Sequence, residues 1–298
     1  MAVEVARLET RRRRTGAAGG PRYPGWLALP AVGWYLLFFI GPLAILALFS
    51  VSERVGFATV VYTFNLENFR DLWDPLYGRV FWRTLQLAVF GTVATLLVGF
   101  PLAYYLARYA KHKTLLLLLI VVPFWTSFLI RTYSWLIILD QDFPLFRALR
   151  AIGVVPDDLQ ILYTSKAVYI GVIYNYLPLM VLPLYAALER MDWSLVDAAQ
   201  DLGDNAFQAF RRVTLPLVLP GVLAGSLLTF IPLTGEYLVP VILGGDLTVY
   251  AGNLIGTQFV TSRDWPFGAA IAMVVVGAMT VAVLLYARLA RREEQFGG

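Results

Sequence analysis

Side chains able to do chemistry are scarce in this chain, and several of them stand inside long apolar runs. Glu236 follows Pro232 and Gly235 in FIPLTGEYLVPVILGG, with Tyr237 beside it. Asn175 lies between Tyr174 and Tyr176, near the middle of another apolar run. Arg131 sits in PFWTSFLIRTYSWLIIL, which also supplies Trp125, Tyr133 and Trp135. Burying an ionisable group in hydrocarbon is expensive, so Glu236 and Arg131, with polar Asn175 and the neighbouring aromatics, are candidates for a path across a membrane. A structural role competes with that one. Arg131 and Glu236 then pair with each other or snorkel, and the aromatics form an interfacial belt.

A second constellation is polar. Residues 197–220 read DAAQDLGDNAFQAFRRVTLPLVLP, between two apolar runs. Leu195, Ala199, Leu202, Ala206, Phe210 and Val213 recur at steps of three or four, which predicts one apolar stripe on a helix. Asp197, Gln200, Asp201, Asp204, Arg211 and Arg212 fall on the other face. Gly203 in mid-helix costs about 1 kcal/mol relative to alanine and so marks a bend or a close contact. Such a segment offers a docking surface to a soluble partner.

Enzymatic chemistry finds little to use. Cysteine is absent, which excludes disulfides, thiolate metal sites and a cysteine nucleophile. Lysine occurs only at 111, 113 and 166, and none follows a glycine-rich loop, so no nucleotide-binding P-loop is present. The lone histidine, His112, lies in a basic turn and reads as a solvated loop residue. The chain is therefore expected to be non-catalytic and without a cofactor or metal.

Hydrocarbon is the medium that must position these residues. The chain is 59% hydrophobic and only 15% charged, with a mean hydropathy of +0.67, far above a soluble domain. A spanning helix needs about 20 apolar residues. Six spans are expected, at roughly 26–52, 80–107, 114–139, 166–188, 215–243 and 267–289. Counted along continuous helices, Arg131 and Glu236 then lie about 25 Å from the cytoplasmic ends of the third and fifth spans.

Arginine and lysine alternate in a way that orients these spans. Arg7, Arg11 to Arg14 and Arg22 precede the first span; Arg108, Lys111 and Lys113 separate the second and third. Arg190, Arg211 and Arg212 flank the polar segment, and Arg288, Arg291 and Arg292 follow the last span. The 140–165 loop is poorer in net positive charge, with Arg147 and Arg150 against Asp140, Asp142, Asp157 and Asp158. By the positive-inside rule, both termini and the 189–214 loop are cytoplasmic. The net charge of +4 then reports topology and lipid contact, not nucleic-acid binding. The run from Trp26 to Val51 is too long for a secretory signal and stays as a first span. The expected organisation is a basic cytoplasmic segment at 1–25, a membrane domain at 26–292 and a short tail at 293–298.

The polar segment resembles the EAA loop of ABC-importer permeases. That pattern is Glu-Ala-Ala, three residues, Gly, nine residues, an aliphatic, one residue, then Leu-Pro. It appears here as Asp197-Ala198-Ala199, Gly203, Val213 and Leu215-Pro216. Aspartate in place of the leading glutamate keeps the charge and shortens the arm. The stretches VPFWTSFLIRTY (122–133), YNYLPLMVLPLYAALE (174–189), FIPLTGEYLVPVILGG (230–245) and RDWPFGAA (263–270) look like permease subunits of spermidine/putrescine-type importers. The likeness covers about residues 30–290.

The resemblance implies an all-α type I importer permease with six transmembrane helices, in the bacterial cytoplasmic membrane. It implies two ATPase partners, a second permease chain forming a heterodimer, and a periplasmic or lipid-anchored binding protein that delivers a polyamine. It makes Asp197, Ala198, Ala199, Asp201, Leu202, Gly203, Phe207, Phe210, Arg211, Val213, Leu215 and Pro216 the ATPase contact. It also makes Glu236, Tyr174 and Asn175 candidates for the path. A polyamine needs carboxylates and aromatic faces, the latter at about 0.5–2 kcal/mol per cation–π contact. Glu236, Tyr237, Tyr174 and Tyr176 supply both kinds. One acid does not neutralise a polyamine, so selection belongs mainly to the binding protein. Importers of iron, opines or other organic solutes share this architecture. A secondary transporter or a membrane scaffold are further alternatives, though neither explains the EAA-like loop.

Overall fold

The computed structural model describes residues 25–296, apart from 57–58, 155, 157–158 and 246–247. Arg7, Arg11 to Arg14, Arg22, Asp157 and Asp158 lie outside the described residues. Among the described residues, five helices are long and apolar enough to cross a membrane, and a bent pair brings the number to six if it counts as one span. Contacts divide the chain after Ile45 into an N-terminal unit and a larger unit from Leu46.

The elements run as follows. Helix α1 is Leu29–Ser50. A two-stranded antiparallel ribbon follows, β1 (Glu53–Arg54) with β2 (Val60–Val61), then the short α2 (Glu67–Asp71). Helix α3 spans Pro75–Arg108, α4 Lys113–Trp125 and α5 Phe128–Ile138. Next come α6 (Pro144–Ala151), α7 (Ser165–Glu189) and α8 (Ser194–Asp201). Helix α9 runs from Ala206 to Thr234, α10 from Leu238 to Gly244, α11 from Ala251 to Val260 and α12 from Trp265 to Phe296. Helix α12 thus carries into residues expected to form a tail.

Helices α3, α7 and α9 form the packed centre of the larger unit. In lipid, burying leucine against leucine gains little over burying it in acyl chains, so helix association depends on close packing and small residues. Glycines supply the approach. A Cβ at Gly91 of α3 would meet Leu233 Cδ1 at 3.0 Å, and one at Gly99 would meet Met180 Cγ at 3.1 Å. Around these contacts Leu87, Val168, Val172, Leu233 and Leu243 form one buried cluster. Leu106, Met180, Leu184, Leu188 and Val218 form another. Threonines in α3 hide their hydroxyls by donating to carbonyls one turn back, as Thr92 does to Ala88 at 2.6 Å.

Proline shapes the helices without ending them. Residues 36–40 of α1 and 210–214 of α9 are wound as π-helix, and a proline follows each two residues on, Pro42 and Pro216. A proline ring clashes with the carbonyl four residues back, and one wide turn relieves that clash.

Two expected spans are corrected. The third, 114–139, is not one rod: α4 and α5 meet at 96°. Pro123 opens a 3₁₀ turn, Thr126 is extended at φ −76°, ψ 158°, and its hydroxyl donates to Pro123 O at 2.6 Å. The fifth span, expected to reach residue 243, ends at Thr234, and the chain breaks over Gly235–Tyr237 before α10. The depth counted for Arg131 along a straight helix therefore falls.

Candidate functional site

The EAA-like segment is two helices joined by a built turn. Helix α8 ends on Leu202, and Gly203 takes φ +101°, where a side chain is strained. Gly203 N donates to Gln200 O at 2.9 Å and Asp204 N to Ala199 O at 3.0 Å, which together make a Schellman stop. The next helix starts at once. Asn205 Oδ1 accepts from Gln208 N, and Gln208 Oε1 accepts from Asn205 N, both at 2.9 Å, a reciprocal capping box. Arg212 Nη1 reaches Asp204 Oδ1 at 2.6 Å and ties the turn to α9.

This overturns the single apolar stripe expected across residues 195–213. Val196 and Ala209 are buried and Ala199, Phe210 and Val213 half-buried, but Leu195 and Ala206 are exposed and Leu202 is 90% exposed. Phe207 is exposed too. Gly203 does mark a bend, as expected, and none of the described residues lies within 4 Å of a Cβ placed on it, so close packing among them is not the reason. The turn therefore exposes two large apolar side chains, Leu202 and Phe207, on a segment whose Asp197, Ala198, Asp201 and Arg211 are exposed as well. That combination suits a partner with an apolar cleft and a polar rim. The signals for the turn, a glycine at C′ and Asn-x-x-Gln, were both in the sequence. Replacing Gly203 by alanine is expected to cost about 1–2 kcal/mol, the penalty for a left-handed L-residue. A melting midpoint of the purified protein unchanged by Gly203→Ala would refute this reading of the turn.

Two residues not singled out from sequence hold this segment. Arg108, the last residue of α3, donates from Nη2 to Asp197 Oδ1 at 3.1 Å, and its guanidinium lies 4.9 Å from the Trp193 ring. Below them Asp192 Oδ1 accepts from Ser194 N at 3.0 Å. Hydrogen bonds from Ser194 hold that exposed carboxyl below its ordinary range.

The second constellation gathers where α7 passes the break after α9. Glu236 is buried, and its carboxylate accepts from the Tyr176 hydroxyl and from the backbone N–H groups of Leu238 (2.9 Å) and Val239 (3.1 Å). It therefore caps α10 and bridges to α7 at once. Gly252 is seated on the same break: a Cβ there would fall 2.4 Å from Glu236 O. Arg131 is not its partner, so the pairing weighed for the two is set aside. The Arg131 guanidinium stacks 4.6 Å from the Phe124 ring, across the α4–α5 bend, and its Nε has no hydrogen-bond partner among the described residues.

Asn175 is buried, donating to Thr132 Oγ1 at 3.2 Å and Gly171 O at 3.0 Å, while its Oδ1 has no partner among the described residues. Tyr174 meets Trp135 edge-on at 5.4 Å and is partly exposed. Tyr176 also meets Phe128 edge-on at 6.3 Å, so the Tyr174-Asn175-Tyr176 run touches α5 three times and the α9–α10 break once. Tyr237 is partly exposed and its ring lies against Gly256 of α11. Trp125 and Tyr133 are exposed.

Comparison with known proteins identifies the family. A family model described as "binding-protein-dependent transport system inner membrane component" matches residues 20–295. The spermidine/putrescine transport system permease protein PotB of Escherichia coli (strain K12) is 40% identical over 261 residues, 87% of this chain and 95% of that protein. PotB of Haemophilus influenzae is 38% identical over 256 residues, 86% and 90% of the two chains. The inner membrane ABC transporter permease protein YdcU of Escherichia coli (strain K12) is 31% identical over 281 residues, 89% and 88% of the two.

Among solved structures, a chain of a bacterial alginate ABC transporter superposes with TM-score 0.69 at 16% identity, over 89% of this chain and 93% of that one. A chain of the MetNI methionine ABC transporter does so with TM-score 0.53 at 19% identity, over 74% and 98%. These two bear on the fold alone. The family match runs from before α1 nearly to the end of α12 and takes in both sites. The chain accordingly belongs to the binding-protein-dependent transport system inner membrane components, as a multi-pass ABC permease subunit.

Proposed function

We propose that this chain forms part of the path by which an ATP-driven importer carries polyamines into the cytoplasm. The observation that carries this reading is the 40% identity to a spermidine/putrescine permease, covering nearly the whole of both chains. The chemistry of the Glu236 break supports it. A carboxylate at membrane depth beside Tyr176 suits an ammonium group, and such a site need only be permissive if a binding protein selects the solute. With Glu236 held by three donors, its charge is closed off in this conformation. Separation of α7 from the α9–α10 break frees it.

The partners follow from the same reading. Residues 189–214 and both termini face the cytoplasm, where cations concentrate. The Leu202–Phe207 turn seats on an ATPase subunit, one of two in the complex. A second permease chain completes the path as a heterodimer, and a periplasmic or lipid-anchored binding protein delivers the solute. ATP binding closes the ATPase pair and displaces α8. Because α9 is continuous from Ala206 to Thr234, that displacement reaches the Glu236 break by rigid-body movement.

The test is ATP hydrolysis by the complex purified with its co-isolating partners in liposomes, with and without spermidine-loaded binding protein. Stimulation together with uptake of labelled spermidine is expected. Stimulation only by a binding protein carrying another solute would remove the polyamine and keep the importer. If no ATPase co-isolates, the coupling assignment falls.

A further inference from the structure

We infer that Arg108, with Tyr104 and Phe100, is the grip through which the 189–214 loop moves α3, a positioning role that rests on reading that loop as the ATPase contact. The three residues fall at i, i+4 and i+8 on α3 and so share one face of its last turns. That face touches both arms of the loop. Phe100 meets Phe210, in the arm leading into α9, edge-on at 5.4 Å. Tyr104 meets Trp193, just before α8, edge-on at 5.4 Å. Arg108 covers the same Trp193 ring at 4.9 Å and donates to Asp197 on α8.

None of these contacts would suffice alone. Asp197 is 63% exposed at its side chain, and an ion pair that open to water contributes little by itself. The guanidinium, though, is planar and also stacks, so charge and ring contact act from one side chain. Beneath them Val196 and Ala209, one from each arm, are buried with Ala103, Leu106 and Ala107 of α3. The loop is thus clamped to α3 by an apolar seat and closed over by the Arg108 side chain, which is 22% exposed.

What α3 connects gives the grip its consequence. Thr84, 24 residues before Arg108 and so about 36 Å away along the helix, accepts from Ala251 N at 2.8 Å, the start of α11. Gly91 packs on Leu233, three residues before Glu236. Displacement of the loop therefore has two rods to the Glu236 break, α9 by covalent continuity and α3 by the Arg108 grip. Without the grip only the apolar seat ties the loop to α3, and α9 carries most of the displacement.

This chain has no cysteine of its own, so a label pair can be placed in it once the cysteines of its partner chains are replaced by serine. Spin labels at Leu97→Cys on α3 and Leu195→Cys on α8, both at exposed positions, report the spacing of the loop from α3 in the full complex. The distance distribution is expected to stay single in the resting and the ATP-trapped states, and to broaden or shift when Arg108→Ala is added. The ratio of binding-protein-stimulated to basal ATP hydrolysis is expected to fall about threefold to tenfold in Arg108→Ala. Arg108→Lys, which keeps the charge but not the planar face, falls between.

An unchanged distribution in Arg108→Ala overturns the grip whatever the activity. A broadened distribution with full stimulation overturns its part in coupling. Absence of stimulation in the unaltered complex is a different failure: it removes the ATPase reading of the loop, while the label pair still reports whether Arg108 holds it to α3.

Discussion

Glu236→Gln is expected to leave the protein folded and to lower cation uptake by at least about tenfold, the equivalent of ~1.4 kcal/mol in the transport barrier. Glutamine keeps two of the three hydrogen bonds that the carboxylate makes, its carbonyl oxygen accepting from the N–H groups of Leu238 and Val239. The third reverses: its amide donates to the Tyr176 oxygen, and the Tyr176 O–H gives up its acceptor. What it lacks is the charge. Glu236→Ala differs, because it leaves the buried Tyr176 hydroxyl and two backbone N–H groups without partners, at about 1–3 kcal/mol each. The alanine variant should therefore lose much stability as well as transport, and the glutamine variant little stability but most of its transport. Uptake of labelled spermidine into proteoliposomes, set beside the melting midpoint of each purified variant, separates the two. Full uptake by Glu236→Gln would make Glu236 a helix cap and bridge only, and the path would have to be sought elsewhere.

How much of this was legible in the sequence depended on the range of the interaction. Apolar length fixes a span locally, and the helices at 75–108, 165–189 and 265–284 stand where composition put them. The α4–α5 bend did not show, because Thr126 and Ser127 interrupt an apolar run too briefly to lower its mean. Their effect is geometric, a hydroxyl turned back on Pro123. The Schellman stop at Gly203 and the capping box at Asn205 were local and readable. The helical period across Leu202 and Ala206 outweighed them, and the reading joined two helices into one. The contacts that build the sites were out of reach for another reason. Tyr176 is 60 residues from Glu236 and Arg108 is 89 from Asp197, so their meeting depends on how α3, α7 and α9 pack. Spacing along one element cannot supply that.

That packing gives the second large effect. Gly221→Leu in α9 is expected to abolish assembly of a stable permease, and Gly221→Ala to lower its melting midpoint clearly. A Cβ at residue 221 would lie 2.5 Å from Ala187 Cβ and 2.9 Å from Pro183 O of α7, and one turn on a Cβ at Gly225 would lie 3.0 Å from Met180 O. Two of these three obstacles are backbone carbonyls, which cannot rotate away as a side chain can. The α7–α9 seam must then open along its length. Overpacking of this kind costs about 1–3 kcal/mol for small additions. In lipid no hydrophobic gain offsets the lost contact between helices. The consequence reaches function because α9 carries the coupling arm at one end and the Glu236 break at the other, so a splayed seam parts Tyr176 from Glu236. Ala187→Gly supplies the control: it removes the nearest atom, at 2.5 Å, but leaves Pro183 O. The double variant Gly221→Ala with Ala187→Gly should recover part of the lost stability and not all of it. Additive losses in that pair would mean that the seam is not where the strain falls, and that α7 and α9 approach each other less closely than these contacts require.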